Sequence, residues 1–339
     1  MSLAFSADRY LSKGDRFAFS DRGTQLEVFF GASEATDFSF EKLGPTTFKD
    51  IQAKRDGKLF FSMAEFGLAG TASPLPKRLD EEPPLGKNPF SGDFVLDGGY
   101  VKDMTLMMTL PDGTASPVTA KEATLAANFT EARQRMSMAV SSLTLAKELL
   151  RGNTAATAGL VDMEDVLAVL PATLTVDGQF VMDVKSLESN EISLDLTPLS
   201  LSVKDLGAFS LAVGIQGRPE LDLDKDAKCR FLEISVTDSG ISEPLFALIA
   251  KQQDKTPSFL RREARMALSA AGLALQGPLA DLVAHCLDFL EKPGATLTIK
   301  LEPAQPTSAE ELGETMILDP AKAGLSSSVS RPEPEKSNP

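Results

Sequence analysis

The sequence predicts an α+β protein in which a long, twisted antiparallel β-sheet is partly covered by helices near the C-terminus. Three observations predict this fold class. Apolar and polar residues alternate in many short segments, as in strands with one apolar and one solvated face. Turn signals such as Asp56-Gly57 and Asp112-Gly113 separate these segments and favour hairpins. Helical periodicity and helix-starting prolines are concentrated between residues 242 and 291.

Composition narrows the class of protein. The chain has 339 residues, of which 42% are hydrophobic and 24% charged, so it can bury cores in one or two domains. Its net charge is −14 at pH 7. Nucleic-acid binding needs a concentrated basic surface, so we expect no nucleic-acid partner. No segment approaches the roughly 20 consecutive apolar residues of a membrane-spanning helix.

Residues 1–73 are predicted to form a phenylalanine-rich β region, because 13 of the 20 phenylalanines lie within the first 94 residues. Residues 74–90 contain five prolines, which strands tolerate poorly, and are predicted to form a loop or linker. Residues 91–303 form the main β body, which ends in a helical unit at 230–302. Residues 304–339 are predicted to be a Pro/Ser/Glu-rich tail that is largely disordered at its end.

Two helices are expected to interrupt the β body before the helical unit. The first spans Leu145–Arg151 and ends at Gly152. The second spans Gly159–Leu170, where apolar residues recur at helical spacing, and Pro171 ends it.

The helical unit is bracketed by two strands, because residues 232–236 and 297–301 each alternate between apolar and polar. Helix boundaries are marked at Ser242 to Pro244, Thr256-Pro257, Gly277-Pro278 and Pro293-Gly294. We expect a strand, two or three helices and a strand, with both strands in one sheet.

This unit resembles the repeat of YdgA-like and AsmA-like proteobacterial envelope proteins. The residues that carry the resemblance are Glu233–Ile241, Ala250–Gln253, Leu260–Arg262, Phe289–Gly294, Leu297–Ile299 and Glu302–Pro306. AsmA-like proteins are associated with lipid transport along an apolar β-groove in the cell envelope. The resemblance therefore implies a non-enzymatic envelope protein that binds or transfers lipid or another apolar ligand, with envelope proteins as further candidate partners.

The compartment is left between two alternatives. Met1–Phe5 shows no basic region followed by an apolar segment, so the N-terminal pattern favours a cytoplasmic protein. The resemblance favours a periplasmic protein whose signal or anchor is absent from this chain.

An apolar sheet face that helices cover only in part forms a groove, and such a groove suits acyl chains. The candidate groove residues are Phe209, Leu211 and Val213 and, on an earlier Met-rich strand, Met104, Leu106 and Met108. The same alternation also fits a closed core. A β-rich structural or protein-interaction module without a ligand is therefore the alternative.

Asp222, Asp224, Asp226 and Glu233 have the spacing of ligands in a calcium-binding loop. Ala227 stands where such a loop needs glycine for its sharp turn, and the flanking residues predict strands instead of helices. These departures favour a solvated acidic turn, so we expect no bound metal and no cofactor.

His285 is the single histidine, so a Ser-His-Asp or Cys-His catalytic group would have to use it. Cys286 is its direct neighbour, and successive residues of a helix point about 100° apart, which hinders pairing. We expect a partly buried helical histidine and no enzymatic activity. Cys229 and Cys286 form either a disulfide or two free thiols, and free thiols are favoured.

Arg261, Arg262 and Arg265 form a small basic cluster in an acidic chain. The cluster suits a phosphate headgroup or an acidic patch of a partner. A solvated helix face is the favoured interpretation.

Overall fold

The structure is a computed structural model that describes residues 6–21, 24–39, 44–69, 72–73, 94–110, 112–130, 132–152, 163–187, 191–218, 227–292 and 294–331. The predicted α+β class with a long antiparallel sheet is confirmed. The chain divides into two compact units, Met1–Asn153 with Ala172–Ile192 and Thr154–Pro171 with Ser193–Pro339. This division falls elsewhere than the predicted linker at residues 74–90, which lies outside the described residues.

The first unit is an antiparallel sheet whose strands pair in chain order. Its strands are β1 (Ser6–Asp21), β2 (Thr24–Ser39), β3 (Thr46–Arg55), β4 (Lys58–Leu68), β5 (Ala72–Ser73), β6 (Phe94–Thr109), β7 (Ala115–Phe129), β8 (Arg133–Ala146) and β9 (Thr173–Ser186). The two-residue β5 lies beside β6, and β4 pairs directly with β6. The phenylalanine-rich strands are therefore continuous with the strands that follow them.

The second unit combines strands with all the α-helices of the described residues. Its elements are α1 (Met163–Val169), β10 (Ile192–Val203), β11 (Gly207–Gly217), β12 (Lys228–Asp238), α2 (Ser242–Gln252), α3 (Pro257–Ala274), α4 (Pro278–Glu291), β13 (Thr296–Leu301), β14 (Thr307–Ser308), α5 (Ala309–Leu318) and β15 (Leu325–Ser330). The sheet order is β10-β11-β12-β13-β15, with β14 beside β12.

The predicted strand–helices–strand unit is confirmed. β12 and β13 are direct antiparallel neighbours, from Leu232 opposite Leu301 to Thr237 opposite Thr296. Three helices lie between them in sequence. Thr256 caps α3, since its hydroxyl accepts a hydrogen bond from the Phe259 N–H at 3.3 Å.

Residues 304–331 of the predicted tail are folded. α5 begins after Ser308, whose hydroxyl accepts a hydrogen bond from the Glu311 N–H at 3.2 Å. Ser308-x-x-Glu311 is a capping-box pattern, which indicates a helix start. The prediction of a tail rested on the Pro/Ser/Glu-rich composition and did not use this pattern. β15 then pairs with β13 along its whole length. The end of the tail, from residue 332, lies outside the described residues.

Of the two helices predicted before residue 230, the first is not an α-helix, and residues 159–162 of the second lie outside the described residues. β8 continues to Ala146, and a 3₁₀ helix (Lys147–Gly152) replaces the predicted α-helix over Leu145–Arg151. α1 covers Met163–Val169 of the predicted Gly159–Leu170. Strand pairing with β9 up to Ala146 outweighs the local helical preference.

Asp238 joins the sheet to the helices. Its carboxylate accepts hydrogen bonds from the N–H groups of Gly240 at 3.0 Å and Ser242 at 3.2 Å, and the residue is only 5% exposed. Its backbone carbonyl accepts from Gly294 N–H at 2.7 Å, where the chain returns from α4. Burial raises the pKa of the Asp238 carboxyl, but hydrogen bonds from Ser242 and Gly240 outweigh that effect and the pKa lies below its usual value.

Replacing Asp238 by Ala is expected to lower the free energy of unfolding by about 2 kcal/mol at pH 7, because two part-buried N–H groups lose their acceptor. Asp238→Asn keeps an acceptor but removes the charge. The contribution of the charge is present above the unfolded pKa of about 3.9 and is lost as pH falls through the lower folded pKa. Urea unfolding should therefore separate wild type from Asp238→Asn at pH 7 and less so near pH 3. Glu302→Gln, at an exposed position, is the control.

Cys229 and Cys286 are free and half-buried. Burial raises the pKa of both thiols, which lowers their thiolate fraction. Alkylation in denaturant without reductant should add two groups to the chain, measured by intact mass. In native buffer at pH 8, both thiols should react with a chromogenic disulfide more slowly than after unfolding. A chain that resists alkylation until reductant is added would instead contain a disulfide.

Candidate functional site

The two faces of the first unit's sheet differ in polarity. Directly paired residues of β3, β4, β6, β7 and β8 form a row of Phe48, Phe66, Val101, Ala123 and Val140. The adjacent row, one residue along each strand, is Lys49, Glu65, Lys102, Glu122 and Ser141. Since successive side chains of a strand point to opposite faces, one face is apolar and the other carries charges.

Cross-strand ion pairs join Lys49, Glu65 and Lys102 of the charged row. The Lys102 ammonium lies 3.0 Å from the Glu65 carboxylate, and the Lys49 ammonium lies 3.9 Å from it. Hydrogen bonds from Lys102 and Tyr100 lower the pKa of Glu65. A one-residue slip would move these charges to the apolar face, so the pairs favour the observed register.

Four phenylalanines from consecutive strands contact one another on the apolar face. The ring centroids are 5.8 Å apart for Phe17 and Phe30, 5.5 Å for Phe30 and Phe48, and 6.0 Å for Phe48 and Phe66. Such ring pairs contribute about 0.5–1.5 kcal/mol beyond their burial. The rings therefore form a continuous aromatic row across β1 to β4.

A line of irregular residues crosses the strands of this sheet. Along this line, positive φ is found at Gly14 (74°), Asp50 (52°), Asp103 (48°) and Ser142 (50°). In β7 the apolar positions change from even to odd numbers between Ala120 and Ala123. The contact of Phe30 with Phe48 links the two sides of the line, so the apolar face continues through it. Irregularities of this kind bend strands.

We call the surface formed by the apolar residues of this face the apolar ribbon. It comprises Phe17, Phe30, Phe48, Phe66, Val101, Ala123, Leu125, Met138, Val140 and Phe180. Phe17 is 50% exposed, Phe66 40% and Met138 48%. The first unit has no α-helix among its described residues, so no described α-helix of its own covers the ribbon.

The predicted residues Met104, Leu106 and Met108 lie on β6. Leu106 pairs with Phe61 of β4 and Val118 of β7. The same row continues from Phe61 through Ala53 and Val28 to Phe17, which belongs to the ribbon. Leu106 therefore lies on the face of the ribbon. Met108 is exposed, whereas Met104 and Leu106 are half-buried.

The sheet of the second unit also has one apolar face, which contains the other predicted groove residues. Phe209 pairs with Val236, Val236 with Leu297, and Leu297 with Val329. The next two rows are Leu211, Ile234, Ile299 and Ser327, and Val213, Leu232, Leu301 and Leu325. The predicted residues Phe209, Leu211 and Val213 thus share one face of β11.

Helix α4 covers this face unevenly. It packs against β13 and β15, where the His285 Nδ1 atom lies 2.8 Å from the Ser327 hydroxyl. Leu325 is buried there, whereas Phe209 and Val236 remain 41% and 37% exposed. The structure therefore brings the predicted groove residues to the less covered side. Because Phe209–Val213 and Met104–Met108 belong to different units, each set is a separate candidate surface.

The metal candidate gains no support from the described residues. Asp222, Asp224 and Asp226 lie outside them, and Glu233 forms an ion pair with Lys300 at 2.8 Å on the polar face of β12 and β13. The hydrogen bond and the charge of Glu233 raise the pKa of Lys300. No group of three or more metal-binding side chains occurs within the described part of the chain.

His285 lies on α4, and the three arginines of the basic cluster lie on α3. His285 is half-buried on α4, and its described partner is a strand serine. The Arg261 guanidinium lies 2.6 Å from the Glu243 carboxylate, and that of Arg265 lies 2.8 Å from Glu291. Arg262 lies over the Phe259 ring at 5.3 Å. Two of the three arginines are thus neutralised within the unit.

A pocket of about 440 Å³ with a mixed polar and apolar lining lies beside α5. Its lining includes Thr307, Glu311, Glu314, Thr315 and Lys322. Charged and hydroxyl groups of this kind do not suit an acyl chain. The apolar ribbon is therefore the stronger candidate site.

Comparison with known proteins gives little further guidance. A family model described only as an uncharacterized protein matches residues 193–326, a segment that begins where the second unit resumes at Ser193. No curated protein matches the chain. No helix of the described residues is long and apolar enough to cross a membrane.

Proposed function

We propose that this protein is a non-enzymatic carrier that binds a lipid acyl chain, or another elongated apolar molecule, on the apolar ribbon of the first unit. The observation that carries the proposal is the ribbon itself: apolar residues of eight strands share one face, several are 40–50% exposed, and the opposite face is charged. Contiguous exposed apolar surface of this extent marks interaction sites in soluble proteins.

The dimensions and energies suit an acyl chain. Eight neighbouring strands spaced about 4.8 Å apart span roughly 34 Å. The hydrocarbon core of a bilayer is ~30 Å thick and one acyl chain fills half of it, so the ribbon is longer than one acyl chain. Each CH₂ removed from water contributes about 0.8 kcal/mol. A chain of about twelve carbons therefore offsets ordering costs and reaches micromolar affinity without a charged contact.

The cellular setting is part of the proposal. The resemblance of residues 230–302 to YdgA-like and AsmA-like proteins supports a periplasmic place and lipid transport. A net charge of −14 disfavours general adsorption to anionic lipid surfaces, so binding through apolar contacts suits this chain better.

The second candidate is a structural or protein-interaction module without a ligand. It is favoured by the second unit, where α4 covers part of the apolar face and leaves Leu325 buried. The two candidates differ in what occupies the exposed apolar residues, and this difference can be measured.

Met138→Asp is expected to lower co-purified lipid at least about tenfold, because a charge in contact with an acyl chain costs more than the 1.4 kcal/mol that corresponds to tenfold. Met138 is 48% exposed, so the fold should tolerate the change. The measurement is native mass spectrometry of the purified chain.

Thr124→Asp is the matched control. Thr124 is exposed on β7 and pairs with Ala139, the neighbour of Met138 that points to the opposite face. The control should keep the wild-type lipid content. Wild-type protein without any bound apolar molecule, or equal loss in both variants, would contradict the proposal.

Phe209→Asp and Leu211→Asp test whether the second unit's face is open. Phe209 is 41% exposed and Leu211 is half-buried beside Ile234 on the same face. We expect Leu211→Asp to lower the free energy of unfolding by about 2 kcal/mol more than Phe209→Asp, as measured in urea. Equal losses would mean that the face is equally closed at both residues.

A further inference from the structure

Helix α3 carries an apolar stripe on its exposed side. Leu260 faces the unit's interior, whereas Phe259, Met266 and Leu273 are 36%, 63% and 91% exposed. These three residues are seven positions apart, so they align along one side of the helix over about 21 Å. We call them the α3 stripe. Single exposed apolar residues are ordinary, but an aligned set indicates an interaction surface.

The α3 stripe has a basic border. Arg262 lies one turn from both Phe259 and Met266, and its guanidinium lies over the Phe259 ring. Arg262 makes no ion pair with another described residue, unlike Arg261 and Arg265. The Lys255 ammonium also lies over the Phe259 ring, at 5.2 Å, but it is paired with the Glu263 carboxylate at 2.7 Å. Arg262 is therefore the residue of the border that offers positive charge to an incoming partner.

Helix α5 presents the opposite combination. Ile317 and Leu318 at its C-terminal end are 76% and 83% exposed. Glu310 and Glu314 lie seven and three residues before Ile317, on the same side of the helix, and both are exposed. α5 contains no basic residue. We call Ile317, Leu318, Glu310 and Glu314 the α5 knob.

We propose that the α5 knob of one molecule docks on the α3 stripe of a second copy of this chain. Each surface is apolar at its centre, and the borders have opposite charge, with Glu314 as the counterpart of Arg262. Leu273 and Leu318 are both almost fully exposed, so the two surfaces do not bury one another within one molecule. The contact joins two different surfaces and is therefore head-to-tail, which extends into rings or open chains.

A second copy fits better than a membrane surface. The α5 knob is acidic, and the chain as a whole carries −14, which opposes approach to anionic lipid. The complementary surface for each patch is present on the same chain. This contact is separate from the apolar ribbon and does not rest on the proposed lipid binding.

The test compares the full chain with Leu273→Ser and Leu318→Ser by sedimentation velocity over a hundredfold range of concentration. Wild type should form multimers as concentration rises, and each variant should stay monomeric. An equimolar mixture of the two variants should form dimers only, because one retains an intact knob and the other an intact stripe. Leu11→Ser, at another exposed leucine, should associate like wild type.

Charge reversal tests the borders. Arg262→Glu should weaken association, and Arg262→Glu combined with Glu314→Arg should restore it. Folding is checked by urea unfolding, and lipid content should be unchanged in Leu273→Ser, which separates this proposal from the lipid-binding one.

Three results would overturn the head-to-tail contact. These are a wild type that is monomeric at all concentrations, association of Leu273→Ser or Leu318→Ser alone, and an equimolar mixture of these two variants that forms no dimer. A monomeric wild type that sediments with phosphatidylglycerol vesicles, but not as Leu273→Ser, would also overturn it and would assign the α3 stripe to a lipid surface.

Discussion

The ladder of the antiparallel sheet constrains everything else in this protein. Direct pairing places residues such as Phe48, Phe66 and Val101 in one row and puts their neighbours Lys49, Glu65 and Lys102 on the opposite face. Within each unit, every strand therefore adds its apolar residues to one apolar face. A face of this kind has to be covered by other elements, by a ligand or by another molecule.

The two units meet this requirement differently. The second unit places α4 over β13 and β15, and Asp238 fixes the point at which the chain leaves the sheet for the helices. The first unit has no α-helix among its described residues, and its ribbon stays partly exposed. The first unit therefore leaves more of its apolar face uncovered by its own described helices, which is why this face is the proposed binding surface.

Charge has a positional role on the polar face. The ion pairs of Glu65 with Lys49 and Lys102 are exposed and each contributes little to stability. Their alternating signs along the row nevertheless make a shifted register unfavourable, because a slip of one residue would bring charges onto the apolar face. A similar exposed ion pair, between Glu233 and Lys300, joins two strands of the second unit. The large negative net charge is thus compatible with well-paired strands.

The sequence by itself determined the fold class, most strands and the helical unit, because period-two alternation, turn glycines and proline caps are local signals. It also identified two sets of apolar residues, one around Phe209 on β11 and one around Leu106 on β6, whose members lie on one face of their own strand. The Pro/Ser/Glu-rich composition of the C-terminal segment predicted a tail and not α5 and β15, although Ser308 and Glu311 have the pattern of a helix cap. Only the tertiary structure decided that Phe17, Phe30, Phe48 and Phe66 contact one another, and that α4 covers one side of a face and leaves Phe209 exposed. Strand register and helix placement depend on contacts between residues distant in sequence, and alternation within each strand is the same whether its apolar face is covered or open.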